Sequence, residues 1–452
     1  MTRRASPVSP PVCLTIAGSD SGGGAGIQAD IKTMEAHGAF ATSVVTSVTA
    51  QNTQGVTSSY TLPVAEIEAQ YDAVVSDFDV RVVKTGMLGT AEVVEAVADR
   101  LADFDAPLVV DPVMVATSGD RLLESAAESA YEQLVAQATL VTPNADEATV
   151  LTGVEIETAA DAIEAGERLV EMGADAALVK GGHLSGATVV DVLVADEVTR
   201  FTHPRVETDA THGSGCTLSS AIATRLAHGD PLTDAVGAGV SFMTRAVRYP
   251  LDVGEGPGAV HHLVDLRNRA AREETAEAVE GIVEQFVARD VSALVPEIGM
   301  NVVGATPFAE AVSETAAVEG RITRTLSGVK PNRGVRFGAS SHVARFLLGA
   351  RESVPNLRFA VNCRFDDEVE AALSELEWPL AEFDRSVEPE DVKAREGNTM
   401  GWGARRAFGG AGETPVAVID RGEVGKEPIV KLVAEDAETL AERAFELLGA
   451  LD

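Results

Sequence analysis

The sequence of 452 residues predicts an α/β protein with two domains. Apolar runs with the length of buried strands end in polar or charged side chains, and open α/β sheets gather their ligands at such strand ends. A glycine-rich loop passes directly into a helix-like segment at residues 209–216. After residue 263, a charged stretch with helical periodicity marks a second domain, as the chain length leads us to expect.

The loop at residues 209–216 reads DATHGSGC and continues as TLSSAIATRLAHG. Its glycines, Gly213 and Gly215, allow the backbone to bend around an anion, which the free N–H groups and positive dipole end of the helix attract. Cys216 is expected to be the first helical side chain. Its thiol suits a general base, provided that the helix N-terminus and neighbouring cations lower its pKa. The simpler interpretation is a turn with a small buried thiol.

Three further strand ends carry side chains suited to phosphate chemistry. Asp111 follows the apolar run PLVV, and Lys180 follows AALV. Glu147 lies three residues after Asn144, in the loop that follows TLVT. The two carboxylates suit a magnesium ion that bridges nucleotide phosphates, and Lys180 suits a phosphate. The alternative for Asn144 and Glu147 is that they cap a helix that begins near Asp146.

The first glycine-rich segment has two interpretations. Residues 24–29 satisfy the dinucleotide fingerprint G-x-G-x-x-A between an apparent strand and a helix. A nicotinamide site would need an acidic residue at the end of the next strand, and the predicted strand at residues 43–51 contains none. We therefore expect these glycines to line a substrate pocket.

The loop at residues 209–216 and six other segments resemble the hydroxymethylpyrimidine/phosphomethylpyrimidine kinases of thiamine biosynthesis, a branch of the ribokinase-type kinases. The six segments are Leu14–Asp30, Thr49–Val56, Lys84–Leu88, Val109–Met114, Thr142–Glu147 and Val179–His183. The likeness extends over residues 12–262. It implies a disordered tail at residues 1–11 and a ribokinase-like domain at residues 12–265, with a mostly parallel sheet flanked by helices. The alternative enzyme is a pyridoxal-type kinase.

The resemblance also implies roles for individual residues. ATP is the expected phosphoryl donor, used first on the hydroxymethyl group and then on the resulting monophosphate. The pyrimidine is placed near Asp30, Gln51, Met87 and Val113. The remaining roles are catalysis by Lys180 and Cys216, Mg²⁺ binding by Asp111 and Glu147, and an anion and ATP site at Gly213, Ser214, Gly215 and Asn144.

A charge reversal distinguishes the second part of the chain. Between Arg321 and Arg364 there are nine basic residues and one acid, Glu352. A basic cluster within a negative surface suits a small polyphosphate, while the alternative is a set of arginines paired with carboxylates elsewhere. Ahead of this cluster, helical spacing predicts a long amphipathic helix with the apolar residues Ala276, Val279, Ile282, Val283, Phe286 and Val287.

The basic cluster contains a predicted helix N-terminus, with Ser340 or Ser341 as its cap. His342 and Arg345 share a face near the positive end of this helix, which suits a phosphate. The apolar side of the helix is expected to contain Val343, Phe346, Leu347 and Ala350.

A second resemblance covers roughly residues 274–451, and we place the domain at residues 270–452. The segments GVKPNRGVRFGASSHVARFLL, EGNTMGWG and DRGEVGKEP resemble the ThiN-type thiamine-phosphate synthase domain. In that family an arginine and a histidine that match Arg321 and His342 mark the catalytic members. The domain is thus expected to join hydroxymethylpyrimidine diphosphate to thiazole phosphate, with Lys330, Arg333, Arg336 and Arg345 as further candidates for phosphate binding. The alternative is a ligand-sensing domain that regulates the kinase.

Composition limits the partners. A formal net charge of −34 argues against nucleic acid or an anionic membrane as a partner and favours a high-salt cytosol, where ions screen the self-repulsion. The three cysteines have no metal-ligand spacing and predict no disulfide framework. The apolar stretch at residues 12–17 is too short for a signal or spanning helix. We expect a cytoplasmic protein that acts on small molecules, and a homodimer formed through the kinase domain.

The same charge balance predicts that folding depends on salt. The chain has 70 acidic and 36 basic side chains and only 4% aromatic residues, so the acidic repulsion is opposed by little aromatic core surface. The midpoint of thermal unfolding should rise steeply as potassium chloride increases from low to molar concentration. A midpoint that does not move over this range would show that the halophilic interpretation is wrong.

Overall fold

The computed structural model describes residues 4–114, 130–182, 186–393, 398–410, 412–423 and 425–451. The chain divides into two compact units, Met1–Leu266 and Arg267–Asp452. Of the expected N-terminal tail, residues 4–11 contain no helix or strand, and residues 1–3 lie outside the described part. Among the described residues, no helix is both long enough and apolar enough to cross a membrane.

The first unit alternates strands and helices along the chain. Its described strands are β1 (Val12–Ala17), β2 (Phe40–Val45), β3 (Ser47–Asn52), β4 (Gly55–Thr61), β5 (Val80–Thr85), β6 (Leu108–Val110), β7 (Leu140–Val141), β8 (Ala177–Val179), β9 (Thr188–Val194) and β10 (Val198–Pro204). Its described helices are α1 (Gly26–Ala36), α2 (Val64–Val75), α3 (Ala91–Leu101), α4 (Tyr131–Val135), α5 (Ala145–Thr152), α6 (Ala159–Glu171), α7 (Ser214–Ala227) and α8 (Leu232–Arg248). Helix α9 (Val264–Ala270) contains the boundary between the units.

Eight of these strands form one sheet in the order β10-β9-β8-β7-β6-β5-β1-β2. The six strands from β8 to β2 are parallel to one another, and β9 and β10 are antiparallel additions at one edge. The predicted mostly parallel sheet is therefore confirmed.

Both faces of this sheet are buried. Val82 and Val83 are successive residues of β5 and point to opposite faces, yet both are fully buried. Val83 packs in one cluster with Leu14, whereas Val82 packs in another with Cys13 and Val109. Continuous apolar runs are typical of parallel strands that helices cover on both sides.

The single strand expected at residues 43–51 is in fact two strands. β2 ends at Val45 in the large sheet, and β3 begins at Ser47 and pairs with β4 in a separate hairpin. Between them, the N–H of Thr46 donates to the carbonyl of Ala17 at 3.0 Å, and its hydroxyl donates to the carbonyl of Met87 at 2.8 Å. These bonds hold the bend, which no glycine or proline marks in the sequence.

The second unit is built around a seven-stranded mixed sheet. Its described strands are β11 (Val302–Ala305), β12 (Thr315–Val318), β13 (Ile322–Thr325), β14 (Gly328–Pro331), β15 (Val335–Phe337), β16 (Phe359–Arg364), β17 (Leu380–Glu382), β18 (Ala417–Asp420) and β19 (Ile429–Ala434). Its described helices are α10 (Arg272–Ala288), α11 (His342–Arg351), α12 (Asp367–Glu375), α13 (Glu390–Lys393), α14 (Asn398–Gly409) and α15 (Ala437–Gly449). The sheet order is β15-β12-β11-β16-β19-β18-β17, with β13 and β14 in a separate hairpin.

The two helices predicted in this unit are present. In α10, Val279, Ile282, Val283 and Phe286 are buried, but Val287 is 44% exposed, so its assignment to the apolar face was wrong. Val287 follows Phe286 directly, and successive helical residues point about 100° apart. The four apolar residues predicted on the buried side of α11 are all buried.

Candidate functional site

The first unit contains a cavity of about 600 Å³ at the carboxyl ends of its parallel strands. The wall includes Gly18 after β1, Met87 after β5, Asp111 after β6, Asn144 after β7 and Lys180 after β8. Parallel strands end at one edge of their sheet, so these residues, distant in sequence, converge there. The volume lies within the range of small-molecule and cofactor sites.

The loop before α7 forms one wall of the cavity. Gly213 is the N-cap of α7 and has φ 79°, a left-handed conformation that favours glycine. A Cβ at Gly213 would lie 1.9 Å from the carbonyl oxygen of Gly24, so the close approach also requires glycine. The helix begins at Ser214, which makes Cys216 its third residue and not its first, as expected from the sequence.

Asp111 and Lys180 meet beside this loop. The Nζ of Lys180 lies 3.2 Å from Oδ1 of Asp111 and 4.0 Å from Oε2 of Glu147. A Cβ built on Gly215 would lie 3.3 Å from that Nζ and 3.5 Å from Oδ2 of Asp111. The loop, the ammonium group and the carboxylates therefore surround one point in the cavity.

Glu147 and Asn144 form the capping pair that was the alternative to a metal role. Helix α5 begins at Ala145, so Glu147 lies in its first turn and not in a loop. Asn144 Oδ1 accepts from the N–H of Glu147 at 2.9 Å, and Glu147 Oε2 accepts from the N–H of Asn144 at 2.8 Å. Capping uses one carboxylate oxygen of Glu147, and the side chain still lines the cavity.

The donor set of this cluster fits a magnesium ion. Burial raises the pKa of Glu147 to about 7, against a lowering effect of Lys180 and a further raising effect of Asp111. Two crowded carboxylates favour an added cation, and Mg²⁺ prefers carboxylate oxygens together with waters and phosphates. Asp111 and Glu147 are therefore suited to hold it.

The lowered pKa on which a base role for Cys216 depends is not found in the ligand-free protein. Burial raises the pKa of the Cys216 thiol to about 12, while the nearby Lys84 lowers it only in part. The carboxylates of Asp30 and Asp111 raise the pKa further, and the N–H of Gly26 lowers it. Desolvation outweighs the cations because the thiolate would be a buried charge.

Three of the four residues expected near the pyrimidine line the cavity: Gln51, Met87 and Val113. Asp30 does not. It is fully buried and binds Lys84 Nζ at 2.9 and 3.0 Å, the Thr15 hydroxyl at 2.6 Å and the Ser220 hydroxyl at 2.7 Å. Its carboxylate is used within the protein, and the structure does not bring Asp30 to the cavity wall.

Asp20 and His212 were missed by the sequence analysis. Asp20 accepts from the N–H groups of Gly22, Gly24 and Ala25 at 2.8–2.9 Å, and His212 Nε2 lies 3.0 Å from its carboxylate. The pair thus joins the first glycine-rich loop to the loop before α7. The sequence signal for this pair was that each residue lies inside a glycine-rich motif, of which only the glycines were considered.

In the second unit, Arg321 and His342 are both exposed. Arg321 precedes β13 and has φ 71°, a left-handed conformation that is strained for a residue with a Cβ. Its Nη1 donates to the carbonyl of Ile298. His342 is the first residue of α11 and follows the N-cap Ser341. The predicted N-cap position of Ser341 is confirmed, although its hydroxyl lies 3.3 Å from His342 Nδ1 and accepts no capping hydrogen bond from the helix N–H groups.

The basic cluster divides into two groups. Arg351 is 3% exposed and donates to the carbonyls of Leu357 and Pro307, which is a structural role. Arg333 and Arg336 are exposed and lie 3.6 and 3.7 Å from one carboxylate oxygen of Glu319. The other two candidates for phosphate binding are Lys330, exposed on β14, and Arg345, half-buried on α11. Proximity to a carboxylate is thus found for Arg333 and Arg336, and phosphate binding by the cluster stays a prediction.

A helix N-terminal anion loop, paired carboxylates and a lysine in one cavity of a doubly covered parallel sheet define a phosphoryl-transfer enzyme. Residues 20–261 match the phosphomethylpyrimidine kinase family, and residues 278–446 match thiamine-phosphate synthase ThiN. The chain belongs to the phosphomethylpyrimidine kinase family, and it is a bifunctional thiamine-biosynthesis protein in which a ThiN domain follows an ATP-using kinase domain.

Three known proteins illustrate the similarity of the kinase domain. The hydroxymethylpyrimidine/phosphomethylpyrimidine kinase of Streptomyces coelicolor is 49% identical over 263 residues, which are 58% of this chain and 98% of the relative. The thiamine biosynthesis bifunctional protein ThiED of Geobacter sulfurreducens is 47% identical over 57% of this chain and 54% of its own length. The ADP complex of Bacillus subtilis pyridoxal kinase superposes with a TM-score of 0.54 at 32% identity, covering 57% of this chain and 99% of that protein.

Proposed function

We propose that the first domain uses ATP to phosphorylate hydroxymethylpyrimidine to its monophosphate and then to its diphosphate. We further propose that the second domain condenses the diphosphate with thiazole phosphate to give thiamine phosphate and pyrophosphate. The observation that supports the kinase assignment most directly is the meeting of Asp111, Lys180 and the Gly213–Gly215 loop in one cavity with Gln51 and Met87.

Binding and orientation are the main tasks of the kinase site. Gln51 offers an amide to the ring nitrogens and amino group of the pyrimidine, while Met87 and Val113 offer apolar contact. The transferred phosphoryl group lies against the N–H groups of Ser214 and Gly215, and Lys180 neutralises its developing charge. Asp111 and Glu147 would hold Mg²⁺, which would neutralise charge on the ATP phosphates.

Cys216 is proposed as the group that takes the proton of the substrate alcohol. Because its pKa is raised in the ligand-free protein, the thiol is protonated at rest, and it becomes a base only when bound cations offset its burial. The second transfer needs no such base, since the acceptor is already an anion.

Cys216→Ala should therefore separate the two transfers. Phosphorylation of the alcohol is expected to fall by about a hundredfold to a thousandfold, and phosphorylation of the monophosphate by only a few fold. Steady-state kinetics with each acceptor, at saturating ATP, measure both effects. Cys216→Ser provides the matched control, because it keeps the size and polarity but not the acidity of the thiol. Equal losses for both acceptors would leave Cys216 as a structural part of the loop.

The second domain meets a different chemical demand. Loss of pyrophosphate from the pyrimidine methylene places negative charge on the leaving oxygens, and guanidinium groups and helix N–H groups stabilise such charge. Arg321 is suited to this role because its side chain is exposed and its backbone has a strained left-handed conformation, of the kind that clusters at functional sites. His342, at the positive end of α11, is proposed to hold or protonate a phosphate.

Two other functions can be tested with assays of phosphorylation and of thiamine phosphate synthesis. A regulatory second domain predicts no thiamine phosphate synthesis and a kinase whose rate responds to thiamine phosphate. A pyridoxal kinase activity is favoured by the superposition on the Bacillus subtilis enzyme, at 32% identity. Comparison of kcat/KM for hydroxymethylpyrimidine and for pyridoxal distinguishes the two kinase activities, and we expect the higher value for hydroxymethylpyrimidine.

A further inference from the structure

The proposed phosphoryl transfer leaves part of the cavity wall unused. This part, called the apolar end here, contains apolar side chains from several elements: Val150 of α5, Val189 of β9, Leu218 of α7, and Met243 and Val247 of α8. Val150 is 48% exposed although it is a large apolar residue. An open apolar wall beyond a phosphate site suits the base of a nucleotide.

His203 lies in this apolar end. In β10 the half-buried and exposed residues alternate, and His203 belongs to the half-buried set. It pairs directly with Val189 of β9, so the two side chains share a face of the ribbon, and both line the cavity. The His203 side chain is 23% exposed.

The surroundings of His203 select its charged form. Nε2 lies 3.3 Å from a carboxylate oxygen of Asp191, and Nδ1 lies 3.4 Å from the carbonyl oxygen of Pro204. Both partners are acceptors only, so both ring nitrogens donate when the two hydrogen bonds are made, and that requires an imidazolium. The Asp191 hydrogen bond raises the pKa of His203 above its ordinary value of 6.5, against burial and the charge of Arg205.

Asp191 fixes this cation relative to the phosphate site. Its other carboxylate oxygen accepts from the N–H of Gly181 at 2.8 Å, and Gly181 follows Lys180 directly. A Cβ at Gly181 would lie 2.1 Å from the carbonyl oxygen of Val190, so the turn after β8 is in close contact with β9. Arg205 and Asp146 are two further charged residues that line the same cavity.

We propose that His203 is a nucleotide-binding residue whose flat cationic ring packs against the base of the bound nucleotide at the apolar end of the cavity. This inference rests on the proposed kinase function and assigns the nucleotide an orientation, with its base against β9 and β10 and its phosphates at Lys180. Cations bind the π face of flat aromatic groups, and the strength of that contact rises with desolvation.

His203→Gln keeps a hydrogen-bond donor for Asp191 but removes the charge. At pH 6 the dissociation constant of ADP, measured by calorimetry, should rise about five- to tenfold, and KM for ATP should rise with it while kcat changes little. In the wild type, ADP affinity should be highest at low pH and fall as the pH rises through the raised pKa of His203, because the imidazolium is then lost. The variant should show little of this dependence.

Two further variants and one base-free inhibitor test whether the effect comes from the ring charge of His203 at the base. His228→Gln is the matched control, since His228 is exposed at the end of α7 and does not line the cavity. His203→Lys keeps a cation at pH 8.5 and should hold ADP affinity nearly constant across the pH range. Inhibition by tripolyphosphate, which has no base, should be unchanged in His203→Gln.

Three outcomes would overturn the inference: unchanged ADP affinity in His203→Gln, the same pH dependence in the variant, or an equal loss of tripolyphosphate binding. The last would place His203 at the phosphates. A wild-type protein with no ATP-dependent phosphorylation of either acceptor would instead refute the proposed kinase function, so the two failures are distinguishable.

Discussion

Lys180→Met is expected to lower kcat/KM for both phosphoryl transfers by about a thousandfold or more. The ammonium group lies beside the loop before α7, 3.2 Å from Asp111 and 4.0 Å from Glu147. Its loss removes a partner of the transferred phosphoryl group and leaves two buried carboxylates to repel each other. Rates with the alcohol and with the monophosphate, each at saturating ATP, measure the effect.

Two controls separate catalysis from folding in this experiment. Lys180→Arg keeps the charge but not the compact ammonium geometry, and it should recover only part of the rate. Arg81→Ala removes an exposed cation of the same domain, whose side chain is 59% exposed, and should leave both rates within twofold of wild type. A Lys180→Met protein that unfolds cooperatively and still retains more than a tenth of both rates would exclude Lys180 from the transfer step.

Arg321→Ala and His342→Ala are each expected to reduce thiamine phosphate formation by about a hundredfold or more, which corresponds to roughly 3 kcal/mol of transition-state stabilisation. Both kinase rates should remain unchanged, because the two residues belong to the second compact unit. Thiamine phosphate release and pyrimidine phosphorylation are measured on the same preparation of each variant.

The matched control for these substitutions is Arg405→Ala. Arg405 is an exposed arginine of the second unit that pairs with Glu352 at 2.9 Å, and its removal should cost little activity. Loss of synthesis in Arg405→Ala to the same extent as in Arg321→Ala would mean that the domain merely tolerates no change of surface charge.

The sequence predicted the sheet and the strand-end residues because their signals are local. Asp111 and Lys180 each follow an apolar run directly, Asn144 follows one shortly after, and parallel strands bring such positions to one edge. The bend at Thr46 was not predictable, since hydrogen bonds to residues distant in sequence hold it. Tertiary contacts of this kind leave no periodic pattern.

The surroundings of Asp30 and Cys216 depend on contacts that the sequence does not show. Whether Asp30 faces a ligand or a buried lysine depends on Lys84, 54 positions away, which its motif does not specify. The pKa of Cys216 likewise depends on the balance between desolvation and neighbouring charge, and the helix N-terminus alone does not determine it. The position of His203 against the cavity follows from the pairing of β9 with β10, which becomes visible only in the fold.

The central claim is that one chain makes the pyrimidine diphosphate and then consumes it. The direct measurement is a time course of the full-length protein at molar potassium chloride with hydroxymethylpyrimidine, ATP, Mg²⁺ and thiazole phosphate, in which every pyrimidine species is quantified. We predict that the monophosphate and diphosphate appear first and that thiamine phosphate and pyrophosphate then accumulate in equal amounts. Accumulation of the diphosphate without any thiamine phosphate would contradict the account and assign the second domain a regulatory role.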